Sequence, residues 1–336
     1  MKQHIKALWQ STFNDTEEFV GFYFENIFTE QNSIFIEQNE QIISALQVIP
    51  FDMKMSNRIV QTAYLSGICT DKNFRNQGFM AELMHKTHNQ LFAENYWAAT
   101  LIPADENLEK MYQKFGYSAV FCTESTKHLT QTAQSFLANS AQYMHSLREI
   151  KISELQPVDE KNAYEYFNSK NFEREISLLA DKNYFDIILK YFKIDKKKIF
   201  VAKYHENIAG MAFMSEDGKI LEFFYDNETA KAALIDFIMQ IFDSQKIITS
   251  FPHGMLRIIN VENFLNFYAE NNPEQEHKIA VFDKDIEENC ANYFIKDGLA
   301  TKISSKNVNY PLISVKKLSE MLLKNSQSKM TIMMNE

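Results

Sequence analysis

The residues best suited to chemistry fall in one window, Tyr64 to Tyr117. Its centre is the run Ile68-Cys69-Thr70-Asp71-Lys72-Asn73-Phe74-Arg75-Asn76-Gln77-Gly78-Phe79-Met80. Strand-like residues (Tyr64, Leu65, Ile68) lead into a polar turn. The turn opens a helix with apolar side chains at Phe79, Met80, Leu83, Met84, Thr87 and Leu91, the three-and-four spacing of one buried face. A strand handing over to a helix through a basic, Gly-containing turn aims several free N–H groups at one point, and the helix dipole adds partial positive charge there. A phosphate or pyrophosphate suits such a place. Only 8 of 336 residues are Gly, yet Gly67, Gly78 and Gly116 all lie in this window. At Gly78 the absence of a Cβ lets backbone approach a ligand closely. A helix start capped by polar residues accounts for the same turn without a ligand.

After the helix come a short strand, Trp97 to Ile102, and the segment Met111-Tyr112-Gln113-Lys114-Phe115-Gly116-Tyr117. With the Arg75-x-x-Gly78 turn, these resemble the acetyl-CoA core of the GNAT N-acetyltransferases, which carries a Q/R-x-x-G-x-G/A loop and a later Y-x-x-x-G-F/Y segment. The sequence departs at Met80, where the general pattern has Gly or Ala. A bulky residue there is similar to the Eis-like (enhanced intracellular survival) subgroup. The resemblance implies that Arg75, Asn76, Gln77, Gly78, Phe79, Met80 and Ala81 hold the pyrophosphate of acetyl-CoA, the co-substrate, with no metal. It implies that Ile68, Cys69 and Thr70 bind the pantetheine arm and acetyl carbonyl through main chain, and that Ala104 and Asp105 lie alongside the cofactor. Tyr112 falls where the family puts the general acid for the leaving thiolate. A phenol near pKa 10 serves a thiolate whose conjugate acid is near 8.5 only when held within hydrogen-bond reach. The Cys69 side chain reads as a small apolar residue, not a nucleophile.

The elements that must position these residues can be read in order. Residues 6–30 are helical, with a break and fresh cap at Asn14-Asp15-Thr16-Glu17. Ser33 to Glu37 and Ile42 to Ile49 make a β-hairpin ended by Pro50, and Thr62 to Thr70 is the next strand. Helix Asn107 to Phe115 presents Tyr112, and Ser118 to Leu129 reads as a strand. Residues 131–147 read as a linker or inter-domain helix. Helical patterns run over 157–168 and 173–192, followed by strands Ile199–Tyr204, Ile208–Met214 and Ile220–Phe224, and a helix capped by Asn227-Glu228-Thr229. This order repeats that of the first part, but the second turn has acids and neither Arg nor Gly. Acids at a helix start repel a pyrophosphate, so this copy is not expected to bind CoA. Later come helix Glu262–Glu270, strands Lys278–Asp283 and Glu288–Ile295, an extended stretch Val308–Ile313 and helix Ser314–Lys324.

The predicted fold is α/β (α+β). The resemblance implies a GNAT acetyl-CoA-binding catalytic domain over 1–130 and a degenerate second GNAT-like domain over 131–250. The Met255-Leu256-Arg257-Ile258-x-Asn260-Val261 run, the strand ending in Asp283 with Asn289 six residues later, and the late Leu-Ser-containing helix resemble the sterol-carrier-protein-like domain that ends Eis-like proteins, here over 251–336. The resemblance also implies that the terminal carboxylate of Glu336 reaches the active site and helps accept the amine proton. A hydrophobic content of 45% with 13% aromatics suits packed cores, and a net charge of −9 argues against a general nucleic-acid binder. Three widely spaced cysteines form neither a disulfide framework nor a zinc site. No signal-peptide core or membrane-length apolar run is present in the sequence, so a cytoplasmic protein without a membrane partner is expected. The expected activity is direct acetyl transfer to a small-molecule primary amine (polyamine, aminoglycoside or lysine-like), in a homo-oligomer. The alternatives are a non-catalytic CoA sensor or scaffold, and lipid binding by the C-terminal domain.

Overall fold

The computed structural model of the protein describes residues 1–121, 149–242, 254–303, 310–323 and 328–330. Contacts gather the described parts of residues 1–122 and 253–328 into one unit and those of 123–252 into another. Both mix helices and sheets, as the α/β pattern predicts.

The first unit opens with α1 (Lys2–Thr12) and α2 (Glu17–Asn26). Thr16 separates them, its hydroxyl accepting from Phe19 N–H at 3.2 Å to cap α2. β1 (Ser33–Gln38) and β2 (Gln41–Met55) form an antiparallel hairpin whose turn holds Asn39 and Glu40 at φ 51° and 63°. β3 (Arg58–Thr70) runs antiparallel to β2. The predicted stop at Pro50 is corrected here: Pro50 lies inside β2, opposite Ala63. It follows the last β1 pair, Ser33 with Gln47, so β1 loses no hydrogen bond to the missing N–H.

From β3 the chain passes into α3 (Phe79–Ala93) and returns as β4 (Ala98–Leu101), parallel to β3. All four β4 residues are buried. α4 (Glu106–Gln113) and the short β5 (Ser118–Ala119) follow. The remainder of the predicted Ser118–Leu129 strand beyond residue 121, and the 131–147 segment, lie outside the described residues.

The second unit holds β6 (Ile150–Glu154), α5 (Glu160–Glu173), β7 (Ile176–Leu179), α6 (Lys182–Ile194), β8 (Lys198–Tyr204), β9 (Asn207–Met214), β10 (Ile220–Tyr225) and α7 (Glu228–Ile241). The helical pattern over 173–192 is corrected, because Ile176 to Leu179 is a strand and α6 starts afresh behind Asp181. The Asp181 carboxylate accepts from Tyr184 N–H at 2.7 Å. A stretch as short as Ile176-Ser177-Leu178-Leu179 fits a buried strand and a turn of buried helix equally well, which is why periodicity misread it. β10, β9, β8 and β6 form one antiparallel sheet, with α7 packed on it through Leu234, Ile235 and Ile238.

The C-terminal part rejoins the first unit. β11 (Met255–Ile258) enters the first sheet between β4 and β5, antiparallel to both. α8 (Val261–Asn271) follows, then β12 (His277–Phe282), β13 (Ala291–Lys296), β14 (Leu299–Ile303), β15 (Leu312–Ser314) and α9 (Val315–Leu323). β12 to β15 make a separate sheet in the order β14, β13, β12, β15. The predicted Glu288–Ile295 strand begins instead as a 3-10 turn over Glu287–Asn289. The main core lies between the first sheet and α3, joining Leu46, Leu65, Leu83, Met84 and Leu101 to Met255 and Ile259. Each such side chain contributes about 1.5–3 kcal/mol through burial.

Candidate active site

Strand β3 is bent where the site begins. Ala45 pairs with Cys69 and Gln47 with Ser66, so Gly67 and Ile68 together oppose Leu46 in a β-bulge. Gly67 sits at φ +61°, and a Cβ there would fall inside the Trp9 ring. The indole is held by its own donor, Trp9 Nε1 to Asp15 Oδ2 at 2.7 Å. Tyr23 Oη lies 3.0 Å from Ser66 Oγ. On its other edge, β3 pairs with β4 only from Thr62 to Tyr64. β4 ends at Leu101, one residue past the last pair, and Leu65 to Thr70 run on without β4 beside them.

The turn after β3 is built by its polar residues. Asp71 Oδ1 accepts from Asn73 N–H at 2.8 Å, and Arg75 Nε donates to the Thr70 carbonyl at 3.1 Å. Ser44 Oγ donates to the Cys69 carbonyl at 2.9 Å and pairs with Thr70 Oγ1 at 2.8 Å. Asn76 and Gly78 take φ +61° and +94°, the left-handed region that favours Gly and Asn. A Cβ at Gly78 would meet nothing within 4 Å, so packing does not demand glycine there; the backbone angle does. Gly78 is the N-cap of α3 and offers no side chain to it. Glu82 N–H makes the first intrahelical bond, to the Gly78 carbonyl at 3.0 Å. The N–H groups of Phe79, Met80 and Ala81 therefore point out of the helix start uncapped, and Arg75 to Gly78 are all exposed.

Tyr112 stands near the end of α4 and is 6% exposed. Burial first, and then the neighbouring Cys69 side chain, push its phenol above the usual range. The Cys69 thiol is pushed up to about 12, chiefly by burial, and Sγ donates weakly to the Ala45 carbonyl at 3.7 Å. A thiol so held stays protonated and is a poor nucleophile. Phenol and thiol are thus neighbours, the thiol on the part of β3 that runs beyond its pairing with β4. Phe79, Met80, Ile68 and Met111 pack on the same core cluster as Tyr112.

The structure brings Ile68, Cys69, Thr70, the Arg75–Ala81 turn and Tyr112 into one region. Asp105 serves as the N-cap of α4, Oδ1 accepting from Asn107 and Leu108 N–H at 2.7 and 2.8 Å, and Ala104 beside it is exposed. Glu336 lies outside the described residues. Among the described residues, no group of three or more His, Cys, Asp or Glu is placed to hold a metal ion. None of the described helices is long and apolar enough to cross a membrane.

Sequence reasoning missed a buried polar assembly behind Tyr112. Gly116 is at φ +87°, and a Cβ there would collide with the Arg257 guanidinium. Arg257 Nη1 donates to the Phe115 carbonyl at 3.2 Å, and Nη2 to Asp283 Oδ1 at 2.7 Å, with both side chains of that ion pair within 1% of full burial. His88, from α3, places Nδ1 2.7 Å from Asp285 Oδ2 and Nε2 3.1 Å from Tyr117 Oη. Burial, and then the Arg257 charge, push His88 down to about 4, so its ring is neutral. Burial alone would raise Asp285; the His88 hydrogen bond and the Arg257 charge outweigh it and hold that carboxyl below its ordinary value. The available signal was His88 itself, a polar residue on the apolar stripe between Met84 and Leu91.

Residues 2–120 match the family described as "Acetyltransferase (GNAT) domain". No curated protein matches the sequence. Several solved structures share the fold at low identity. A probable N-acyltransferase of otherwise unknown function from Enterococcus faecalis is 15% identical, with 96% of this chain and 87% of that one covered at a TM-score of 0.71. A GCN5-related N-acetyltransferase from Anabaena variabilis is 14% identical over 95% and 86% of the two chains, with a TM-score of 0.68. Eis1 from Mycobacterium abscessus is 10% identical over 96% and 87%, with a TM-score of 0.66.

Proposed function

We propose that the protein, whose residues 2–120 match the acetyltransferase (GNAT) domain family, is an N-acyltransferase that moves an acetyl group from acetyl-CoA directly to a primary amine. The observation that carries this reading is the start of α3. Uncapped N–H groups, a dipole end and Arg75 meet there, after the stretch of β3 that runs on without β4. A diphosphate fits this donor set, and a pantetheine arm fits the β3 edge left without β4.

Acetyl-CoA supplies an activated acyl carbonyl when bound. Main-chain groups of Ile68 to Thr70 hold that carbonyl and stabilise its developing oxyanion. Tyr112 keeps its proton at any working pH and gives it to the departing sulfur. Burial raises the proton affinity of the thiolate as well as that of the phenolate, so the transfer remains feasible in an apolar site. Cys69 takes no covalent part, and the amine attacks directly in a ternary complex. Residues 7–53 contain eight Asp or Glu and no Lys or Arg, which favours a cationic acceptor approaching from α1 and α2. Under the same resemblance, Glu336 assists deprotonation of the amine and the enzyme is a cytoplasmic homo-oligomer.

The resemblance also makes 131–250 a degenerate copy and 251–336 a sterol-carrier-protein-like domain. A contrast between two helix starts supports the first of these. Asn227 caps α7 through Ala230 N–H at 2.9 Å, with Glu228 in the first turn, where α3 is open and flanked by Arg75.

The test is thiol release from acetyl-CoA with spermidine, kanamycin and an Nα-blocked lysine. Wild type is expected to turn over at least one. Tyr112→Phe should keep acetyl-CoA affinity and lose about 10²-fold in turnover. Lost affinity with unchanged turnover would remove the acid role.

A further inference from the structure

Behind the proposed acid lies a chain of buried polar groups that acyl transfer does not itself use: Asp285, His88 and Tyr117. It links the loop after β12, the middle of α3 and the turn after α4, so its members come from sequence-distant parts of the first unit. His88 and Tyr117 have no solvent exposure. Stability alone does not call for this arrangement, since well-packed Leu and Phe would fill the same space without burying polar groups. What polar groups add is direction.

Asp285 is ionised and can only accept, so the His88 hydrogen sits on Nδ1. Nε2 then has a lone pair, and the Tyr117 hydroxyl must donate to it across 3.1 Å. Each group is fixed in one protonation state. Further contacts pin the far end of the chain: Asn89 Nδ2 donates to the Asp285 carbonyl at 2.9 Å, and Asp285 N–H donates to Asp283 Oδ1, also at 2.9 Å. The Tyr117 ring stands edge-on to Tyr112, with centroids 6.0 Å apart and planes at 65°. Tyr117 N–H also donates to the Tyr112 carbonyl at 3.2 Å. No protein hydrogen bond orients the Tyr112 hydroxyl among the described residues, so the rings around it decide where it points.

We propose that Tyr117, held by the Asp285–His88 pair, is a positioning residue that sets the ring of Tyr112 for proton donation. The 253–328 part of the chain, which supplies Asp285, thereby serves turnover as well as folding. This rests on the acid role given to Tyr112 above.

The experiment compares wild type with Tyr117→Phe, His88→Gln and His88→Asn in the full chain, by thiol release from acetyl-CoA with spermidine as acceptor. Tyr117→Phe keeps the ring and removes the anchor. It should lower kcat about tenfold, with the KM for acetyl-CoA within about twofold of wild type. His88→Gln can still accept from Tyr117, because its amide reaches as far as Nε2, and should stay within about threefold of wild type. His88→Asn reaches only as far as Nδ1 and should behave as Tyr117→Phe. Proton NMR supplies a readout free of turnover, a far-downfield His88 Nδ1–H resonance expected in wild type and absent in both His88 variants. Active wild type with an equally active Tyr117→Phe overturns the positioning role alone. So does a kcat loss in Tyr117→Phe matched by an equal rise in KM. Wild type that releases no thiol with spermidine or any other acceptor overturns the acyl-transfer reading, and this one with it.

Discussion

At the scale of single residues, burial sets which groups hold their protons. It pushes Cys69 up and His88 down, so the thiol stays a thiol and the imidazole stays neutral. For His88 this has a measurable sign. The unfolded chain binds a proton near 6.5, whereas the folded ring waits until about 4. The contribution is therefore complete above about pH 6.5 and is lost as pH falls towards 4, on the order of 3 kcal/mol in all. The groups facing the ring are Asp285, Asp283, Arg257 and the Tyr117 phenol, with His85 on the far side of Asp285 at 3.7 Å. Asp285, held low, loses its own contribution only at still lower pH. Urea midpoints between pH 7 and 4.5 should fall more steeply for wild type than for His88→Gln. Parallel curves would mean that the ring is not buried neutral.

At the scale of elements, the site depends on a bend in β3, and the bend depends on Gly67 with Trp9 over it. Gly67→Ala adds a Cβ at positive φ and drives it into the indole, which should cost roughly 3 kcal/mol or more. In a Trp9→Ala background the collision is gone and only about 1 kcal/mol of backbone strain should remain. Denaturant melts of the four proteins in this cycle check the difference, and an equal cost in both backgrounds would assign the penalty wholly to backbone. α3, its Gly78 start and the β1–β2 hairpin were legible in the sequence because each is a local pattern of spacing or turn chemistry. β7 was not, because Ile176-Ser177-Leu178-Leu179 is too short to show a period. Nor was the place of β11: four residues carry no signal that they will pair with β4, far upstream. The chemistry of His88 was hidden for the same reason, since Asp285 lies 197 residues away. Asp105 reads in the sequence as a group beside the cofactor, but its carboxylate is engaged by α4 N–H groups, a cap that its position before Glu106 already signals.

At the scale of the molecule, the stretch that matches the acetyltransferase (GNAT) domain, residues 2–120, is not closed by its own sequence. β4 takes β11 on one edge, and Arg257 and Asp283 form a buried ion pair against the turn that ends α4. A chain ending at residue 122 leaves β4 with an unpaired edge and Gly116 with an unfilled hollow. Such a truncation should show no cooperative thermal transition by circular dichroism, whereas the full chain should. A cooperative melt of the short chain would show that the C-terminal part is an accessory to a self-sufficient domain.

The most direct measurement is a calorimetric titration of the full chain with acetyl-CoA, wild type beside Arg75→Glu. If the start of α3 grips the diphosphate, wild type binds at one site per chain. An acid in place of Arg75 should then weaken that binding by roughly tenfold or more. Wild type that takes up no acetyl-CoA, or Arg75→Glu that binds it equally well, would contradict the account.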